Sequence, residues 1–224
     1  MDIGTVTHKP RRAATLALVA AVALLGAGAA LAQSTIDPSK FANKSATVWQ
    51  FLRDNASRRP GTACYSSSSN PSETFTCLQA ALQATGLDEP LRGTDPVTLF
   101  APTDAGFRTL AHLMGPGPFA VMMNDKAKLT TMLQGLMVEG RYSPADLKGR
   151  AVPATGKLTL KTLTGAELPV TFDRFTSSGS RVKVAVGKDT FQPAWTAYLS
   201  GVATMLRNGA VIPMDMVYLP PSLR

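Results

Sequence analysis

The chain has 224 residues, enough for one good-sized domain or two small ones. It carries 23 Lys and Arg against 15 Asp and Glu, which gives a formal net charge of +8 at pH 7. The basic residues form no dense run and are not interleaved with aromatic residues, so the composition argues against nucleic-acid binding. The positive surplus favours weak attraction to anionic cell-surface polymers instead.

Residues 1–32 have the three parts of a secretory signal peptide. A basic segment at 9–12 precedes an uncharged, Ala-rich run at 13–29, and Ala30-Leu31-Ala32 fits the small-x-small cleavage rule. The alternative is a retained membrane anchor, because the run reaches the ~17-residue lower limit of a spanning helix. We expect cleavage after Ala32 and export to the periplasm or the extracellular space, with membrane attachment only if the segment is retained.

The exported part is expected to form one domain. We expect residues 33–45 to form a polar, flexible lead-in, residues 46–221 to form the domain, and residues 222–224 to form a short tail. Cys64 and Cys77 predict one disulfide that closes a Ser-rich loop, which would stabilise the fold by ~3 kcal/mol; two free thiols are the alternative. Two cysteines with no nearby histidine do not complete a tetrahedral metal site.

Apolar residues at helical spacing dominate the first half of the chain. They predict helices over 45–56, with Ser45 as the N-cap, over 74–87, with Gly86 as the C-cap, and over 125–140. The Pro- and Gly-rich segment 114–120 predicts a turn.

After Gly140 the period of the apolar residues changes from that of a helix to that of a strand. Residues 156–165, 167–173 and 180–187 predict an antiparallel meander with one solvated face. Two further strand candidates, 202–206 and 211–219, flank the turn sequence RNG. Helices followed by strands, without an internal repeat, predict a single α+β domain.

The stretch PVTLFAPTDAGFRTL, residues 96–110, changes from strand to helix at its centre. Pro102 has no N–H and is expected to stop strand pairing. Thr103 or Asp104 is expected to cap the helix that buries Phe107 and Leu110, and Asp104 also suits the positive helix end. We interpret the junction as structural; the alternative is that Asp104 faces a partner or an ion.

Three segments, in order, resemble the fasciclin-type domain. VTLFAPTDAGF resembles its first sequence box, LTTMLQGLMVEGRYSPADLKG its central helix and following turn, and NGAVIPMDMVYLPP its second box. The resemblance runs from about Val48 to Pro221. It implies one fasciclin-like fold in which N-terminal helices pack on a mostly antiparallel β-sheet wedge. It also implies that the strand of the first box inserts into the core, with the next helix packed across it.

The chain departs from the family pattern at its histidines. The family's Tyr-His pair maps to Gly135-Leu136 and the histidine of the second box to Ile212. Functions that adhesive relatives assign to that segment are therefore in doubt here. Asn208-Gly209 predicts a turn. Asp215 lies in an apolar strand pattern, and we interpret it as a buried carboxylate satisfied by backbone N–H groups or an arginine; a functional carboxylate is the alternative.

Residues 188–201 have no counterpart in the resemblance. Phe191, Trp195 and Tyr198 recur at helical spacing around Pro193, which predicts a short helix that caps the sheet edge. The alternative is an exposed aromatic patch that contacts a ligand or partner.

The sequence offers no catalytic constellation. His112 is the one histidine of residues 33–224, and no nucleophile, zinc or phosphate-loop motif occurs. We expect no enzyme activity, no cofactor and no metal. The expected function is an exported binding or adhesion module that engages a cell-surface or extracellular protein or polysaccharide. The alternative is a periplasmic protein that binds a small apolar ligand through segment 188–201.

Overall fold

The computed structural model describes residues 45–56, 74–172, 182–184, 197–198, 203–220 and 223. Helices dominate its first half and strands its second, which confirms the α+β class. The helices are α1 Val48–Asp54, α2 Thr76–Thr85, α3 Glu89–Arg92, α4 Asp104–Met114, α5 Pro116–Asn124, α6 Lys126–Gln134 and α7 Pro144–Arg150. The strands are β1 Val97–Pro102, β2 Met137–Glu139, β3 Lys157–Lys161, β4 Glu167–Phe172, β5 Val182–Val184, β6 Ala197–Tyr198, β7 Thr204–Leu206 and β8 Gly209–Met214.

The caps of the first two helices follow ordinary local rules. Helix α1 begins with a capping box at Thr47, not at Ser45: the Thr47 hydroxyl accepts from the Gln50 N–H at 3.2 Å, and Gln50 Oε1 accepts from the Thr47 N–H at 2.8 Å. Helix α2 ends at Gly86, whose φ of 81° is the left-handed cap that the sequence predicted.

Two segments between residues 114 and 140 differ from the prediction. Pro116 opens α5, so most of the expected turn 114–120 is helical. Proline is tolerated there because the first helical N–H groups have no intrahelical partner. The helix predicted over 125–140 stops at Gln134, and Met137 begins β2. An apolar run of this length fits either state, and pairing with β1 decides for the strand.

The described strands form two four-stranded sheets. The order of the first sheet is β2-β1-β8-β7, in which β1 and β8 are parallel and the other neighbours antiparallel. The order of the second sheet is β3-β4-β5-β6, antiparallel throughout, which confirms the predicted meander. A single antiparallel bridge between Val138 and Thr162 connects the edge strands β2 and β3.

The core lies around β1. All six residues of this strand are buried, and it pairs with β2 on one side and β8 on the other. Phe100 and Phe107 are completely buried, as are Leu136 and Ile212, the positions of the two absent family histidines. A large side chain buried in this way contributes ~1.5–3 kcal/mol. The insertion of the first-box strand into the core, implied by the resemblance, is therefore observed.

The last part of the chain corrects two further expectations. Strand β8 ends at Met214, five residues before the predicted end. Ala197 and Tyr198 form β6, not a helix, because they pair with Val184 and Lys183 of β5. Within the described ranges, no helix combines the length and hydrophobicity that a membrane span requires.

Candidate functional site

The strand-to-helix junction is held by hydrogen bonds at Thr103. Its hydroxyl accepts from the Gly106 N–H at 3.4 Å and so caps α4, while its own N–H donates to the Met214 carbonyl at 3.0 Å. Strand β1 ends on Pro102, as expected, and Pro102 is in register with Met214 as the last pair of β1 and β8. The absent N–H is tolerated at this final position of the strand.

Asp104 caps a different helix from the one it begins. Its Oδ1 accepts from the Cys77 N–H of α2 at 2.8 Å, and its Oδ2 accepts from the Thr74 hydroxyl at 2.5 Å. The residue at the N-cap of α2, Phe75, makes no capping bond of its own. Asp104 is only 4 % exposed, and its carboxylate stabilises the contact between α2 and α4.

Asn208 is a second junction that the sequence identified only as a turn. The two-residue turn between β7 and β8 is Arg207-Asn208, and the Asn208 side chain points inward, 3 % exposed. Its Oδ1 accepts from the Val48 N–H at 2.8 Å. Its Nδ2 donates to the carbonyls of Leu91 at 3.0 Å and Gly93 at 2.8 Å. One amide thus connects α1, α3 and the sheet.

Gly209 is the first residue of β8, not part of the turn. A Cβ at this position would lie 1.9 Å from the Val97 carbonyl oxygen and 2.9 Å from its carbon. Glycine is needed here because the neighbouring backbone approaches closely.

Asp215 corrects one of the site predictions, and a second, the disulfide at Cys77, is left without support. Asp215 is exposed and follows the end of β8, so the expected buried carboxylate is wrong: the strand stops before it. Cys77 is completely buried in α2 and shows no disulfide. Its predicted partner Cys64 lies outside the described residues, so the bridge has no support from the structure.

Most of the predicted aromatic contact residues lie outside the described residues. Phe191 and Trp195 lie outside the described ranges. Tyr198 is described only as the second residue of β6.

His112 is exposed in the last turn of α4. Among the described residues, no group of three or more His, Cys, Asp or Glu is arranged to hold a metal ion.

A polar cleft of about 720 Å³ lies where the two sheets meet at β2 and β3. We call it the fork cleft. One wall comes from the end of β2 and from α7, the other from β3 and the turn that follows it. It is lined by Val138, Glu139, Tyr142, Arg150, Leu158, Thr159, Leu160, Lys161, Thr162, Leu163, Thr164 and Gly165.

The loop that carries Tyr142 into this cleft is fixed to β1. The buried Thr98 hydroxyl donates to the Gly140 carbonyl at 2.7 Å and accepts from the Tyr142 N–H at 2.9 Å. Gly140 has φ 102°, and a Cβ there would lie 2.8 Å from the Tyr142 ring. The ring therefore packs directly on the glycine backbone, and a larger residue would displace it.

Arg150 covers the Tyr142 ring from α7. Its guanidinium carbon lies 4.8 Å from the ring centroid, a cation–π distance. Helix α7 is itself secured by a capping box between Ser143 and Asp146. Hydrogen bonds from Ser143, side chain first and then backbone, lower the pKa of Asp146 below its ordinary value, and the charge of Arg150 contributes further. The arginine is thus exposed and stacked on the Tyr142 ring.

The basic surplus of the described residues is concentrated in the chain segment that supplies the lining of the fork cleft. Residues 138–165 carry five basic side chains and two acidic ones, a local charge of +3. The other described residues together carry one more acidic than basic side chain. Three charged residues line the cleft itself: Glu139, Arg150 and Lys161. The sequence contains no motif that marks the place where the two sheets meet. The scattered basic residues were therefore its only indication of this site.

Comparisons with known proteins agree with the fold. A family model described as the Fasciclin domain matches residues 73–220. Protein sll1483 of Synechocystis sp. is 29 % identical over 206 residues, which cover 91 % of this chain and 96 % of that protein. The uncharacterized protein sll1735 of the same organism is 33 % identical over 75 residues, 34 % of this chain and 53 % of that protein.

A solved structure shows the same architecture. The FAS1 domain pair from the insect cell adhesion molecule Fasciclin I superimposes with a TM-score of 0.59 at 16 % sequence identity. The match covers 80 % of this chain and 52 % of that chain, so this chain spans about half the length of the domain pair. At this identity the match establishes the fold.

Proposed function

This chain belongs to the fasciclin domain family, and on that basis we propose that it is an exported binding module that engages a cell-surface or extracellular macromolecule. The family is known in cell adhesion proteins and is typically non-enzymatic. The solved relative is a domain pair from an insect cell adhesion molecule. Export is supported by the signal-like segment at residues 1–32.

The fork cleft is the observation that carries the proposal. It combines a fixed aromatic ring, a guanidinium and an ammonium group with threonine hydroxyls, in a surface recess where the local charge is positive. Such a mixture provides directional polar contacts, and the surrounding positive field attracts anionic macromolecules over a longer range. Helix α7 and the turn after β3 present these groups at the outer edge of a rigid sheet, where recognition residues are usually found.

Two measurements test the proposal. The full chain should be expressed in a bacterial host, the culture fractionated, and the N-terminus of the product sequenced. We expect product outside the cytoplasm that begins at Gln33. The exported protein should then bind envelope or matrix material saturably. Uncleaved protein retained in the cytoplasm, or the absence of saturable binding to any such fraction, contradicts the proposal.

A further inference from the structure

We infer that the fork cleft binds carboxylate-bearing sugar units of an acidic polysaccharide. This inference rests on the proposed function and specifies its site and ligand class. The cleft volume of about 720 Å³ lies within the range of small-ligand sites, ~300–1,000 Å³. The wall at residues 162–165 ends in a turn whose Thr164 and Gly165 are exposed, so the recess is accessible from the surface to a chain of linked sugars.

Arg150 and Lys161 provide the contacts to the carboxylate. The planar guanidinium of an arginine matches the two oxygens of a carboxylate and can donate two parallel hydrogen bonds. Stacking on Tyr142 holds this guanidinium in advance, so binding costs less side-chain entropy than with a freely rotating arginine. Lys161 lies on β3 in the opposite wall and adds a second positive charge that faces the same space.

Glu139 and the threonines favour a sugar over other anionic ligands. A sugar offers hydroxyl groups that donate as well as accept, so a carboxylate in the wall is useful to it as an acceptor. Glu139 and the Thr159 hydroxyl provide such partners. Glu139 repels every anionic ligand, but an acidic peptide or an anionic lipid surface offers fewer hydroxyl donors that would offset this repulsion by bonding to the carboxylate. The positive and negative side chains of the cleft therefore favour a ligand that combines hydroxyl groups with a carboxylate.

The wider charge distribution suits a polymer and not only a small acid. Arg141, Lys148 and Lys157 lie in the same chain segment as the cleft residues and are exposed. A polymer with an acidic group on each unit would be attracted by these cations while one unit occupies the cleft. Such long-range attraction weakens as salt is added, because the screening length is only ~8–10 Å at physiological ionic strength.

The test uses trimers of galacturonate and of mannuronate, their methyl esters, and isothermal titration calorimetry with the purified protein. We expect at least one uronate trimer to bind, and its ester to bind about tenfold more weakly or worse, because the ester has lost the charge. The double variant R150Q/K161Q should lose affinity by a similar factor. The matched control R108Q/K126Q removes an Arg and a Lys that lie on α4 and α6, outside the cleft, and should bind as the unchanged protein does.

The outcomes separate this inference from the proposed function. Equal binding by R150Q/K161Q, in a variant whose thermal unfolding is unchanged, overturns the fork cleft as the site. Binding of neither uronate trimer, or preferential binding to phosphatidylglycerol vesicles, overturns the sugar-acid ligand. If the protein still binds envelope material saturably in those cases, the proposed function stands and only the inference fails.

Discussion

The inward-pointing amide of Asn208 allows a test in which a single atom is exchanged. In Asn208→Asp the Oδ1 that accepts from the Val48 N–H can stay in place, at 2.8 Å. The Nδ2 that donates to two carbonyls, at 3.0 and 2.8 Å, becomes an oxygen. Three oxygens without a proton between them would then face one another in a site where the side chain is 3 % exposed.

The expected cost follows from these contacts. Each of the two lost hydrogen bonds contributes about 1 kcal/mol, and the carbonyls left without a donor add a desolvation penalty. We expect the free energy of unfolding to fall by about 2–4 kcal/mol at pH 7, a large share of the ~5–15 kcal/mol typical of a domain. Asn208→Ala should lie in the same range, because it also leaves the Val48 N–H unsatisfied.

The pH dependence distinguishes the charge from the lost contacts. Burial and the facing carbonyls raise the pKa of the introduced carboxyl above its unfolded value of ~3.9. The folded state therefore retains a proton that the unfolded state has released. The charge-dependent part of the penalty should be absent below the unfolded pKa, grow as pH rises, and reach its full size above the folded pKa.

Equilibrium urea unfolding followed by circular dichroism measures the difference between variant and unchanged protein at pH 7 and at pH 4.5. Arg207→Ala, in the same turn but exposed, is the control and should change stability by no more than about 0.5 kcal/mol. The reasoning is refuted if Asn208→Asp unfolds at the same urea concentration as the unchanged protein. It is also refuted if its deficit is as large at pH 4.5 as at pH 7.

Three further predictions concern the junctions and α7. Gly209→Ala places a methyl group 1.9 Å from the Val97 carbonyl oxygen, and we expect it to lower the free energy of unfolding in urea by more than ~3 kcal/mol. The control Gly117→Ala has open space around the added methyl group and should leave the free energy of unfolding unchanged or raise it by ~0.5 kcal/mol. Asp104→Ala leaves a buried N–H of α2 unsatisfied and should cost ~2–3 kcal/mol, whereas Asp104→Asn should retain most of the stability; equal loss in both would contradict the capping role. Because the pKa of Asp146 is lowered in the fold, its contribution is present above the ordinary pKa and lost as pH falls through the lowered one; thermal unfolding of Asp146→Asn between pH 5 and 2 should therefore show a weaker pH dependence than that of the unchanged protein.

Local sequence rules predicted the elements whose causes are local. The hydrophobic period located α1, α2, α4 and the strands of the meander, and Gly86 ended α2 as expected. The junction at Thr103 was also predicted, because a threonine before an amphipathic run is a cap signal that needs no tertiary partner. These parts of the fold follow from interactions within about four residues of sequence.

The contacts that define the junctions could not be predicted in the same way. Either Thr103 or Asp104 was expected to cap α4; Thr103 does so, whereas the Asp104 carboxylate bonds to an N–H that is 27 residues away. The amide of Asn208 reaches the Val48 N–H across 160 residues. Segment 116–120 and β6 were assigned wrongly for a related reason, since a helix start and a two-residue strand depend on what the rest of the chain packs against them.

The positions of these contacts separate the structural residues from the recognition residues. Thr103, Asp104 and Asn208, which lie in the first and second family boxes, are buried and engaged in bonds between elements. Arg150 and Lys161 are exposed and lie between the second and the third of the resembling segments. Substitutions of these two residues should therefore change binding with little effect on unfolding, since neither contributes to the core. Members of one family can keep the same buried junctions and still recognise different ligands, because exposed wall residues such as Arg150 and Lys161 can vary at little cost to the fold.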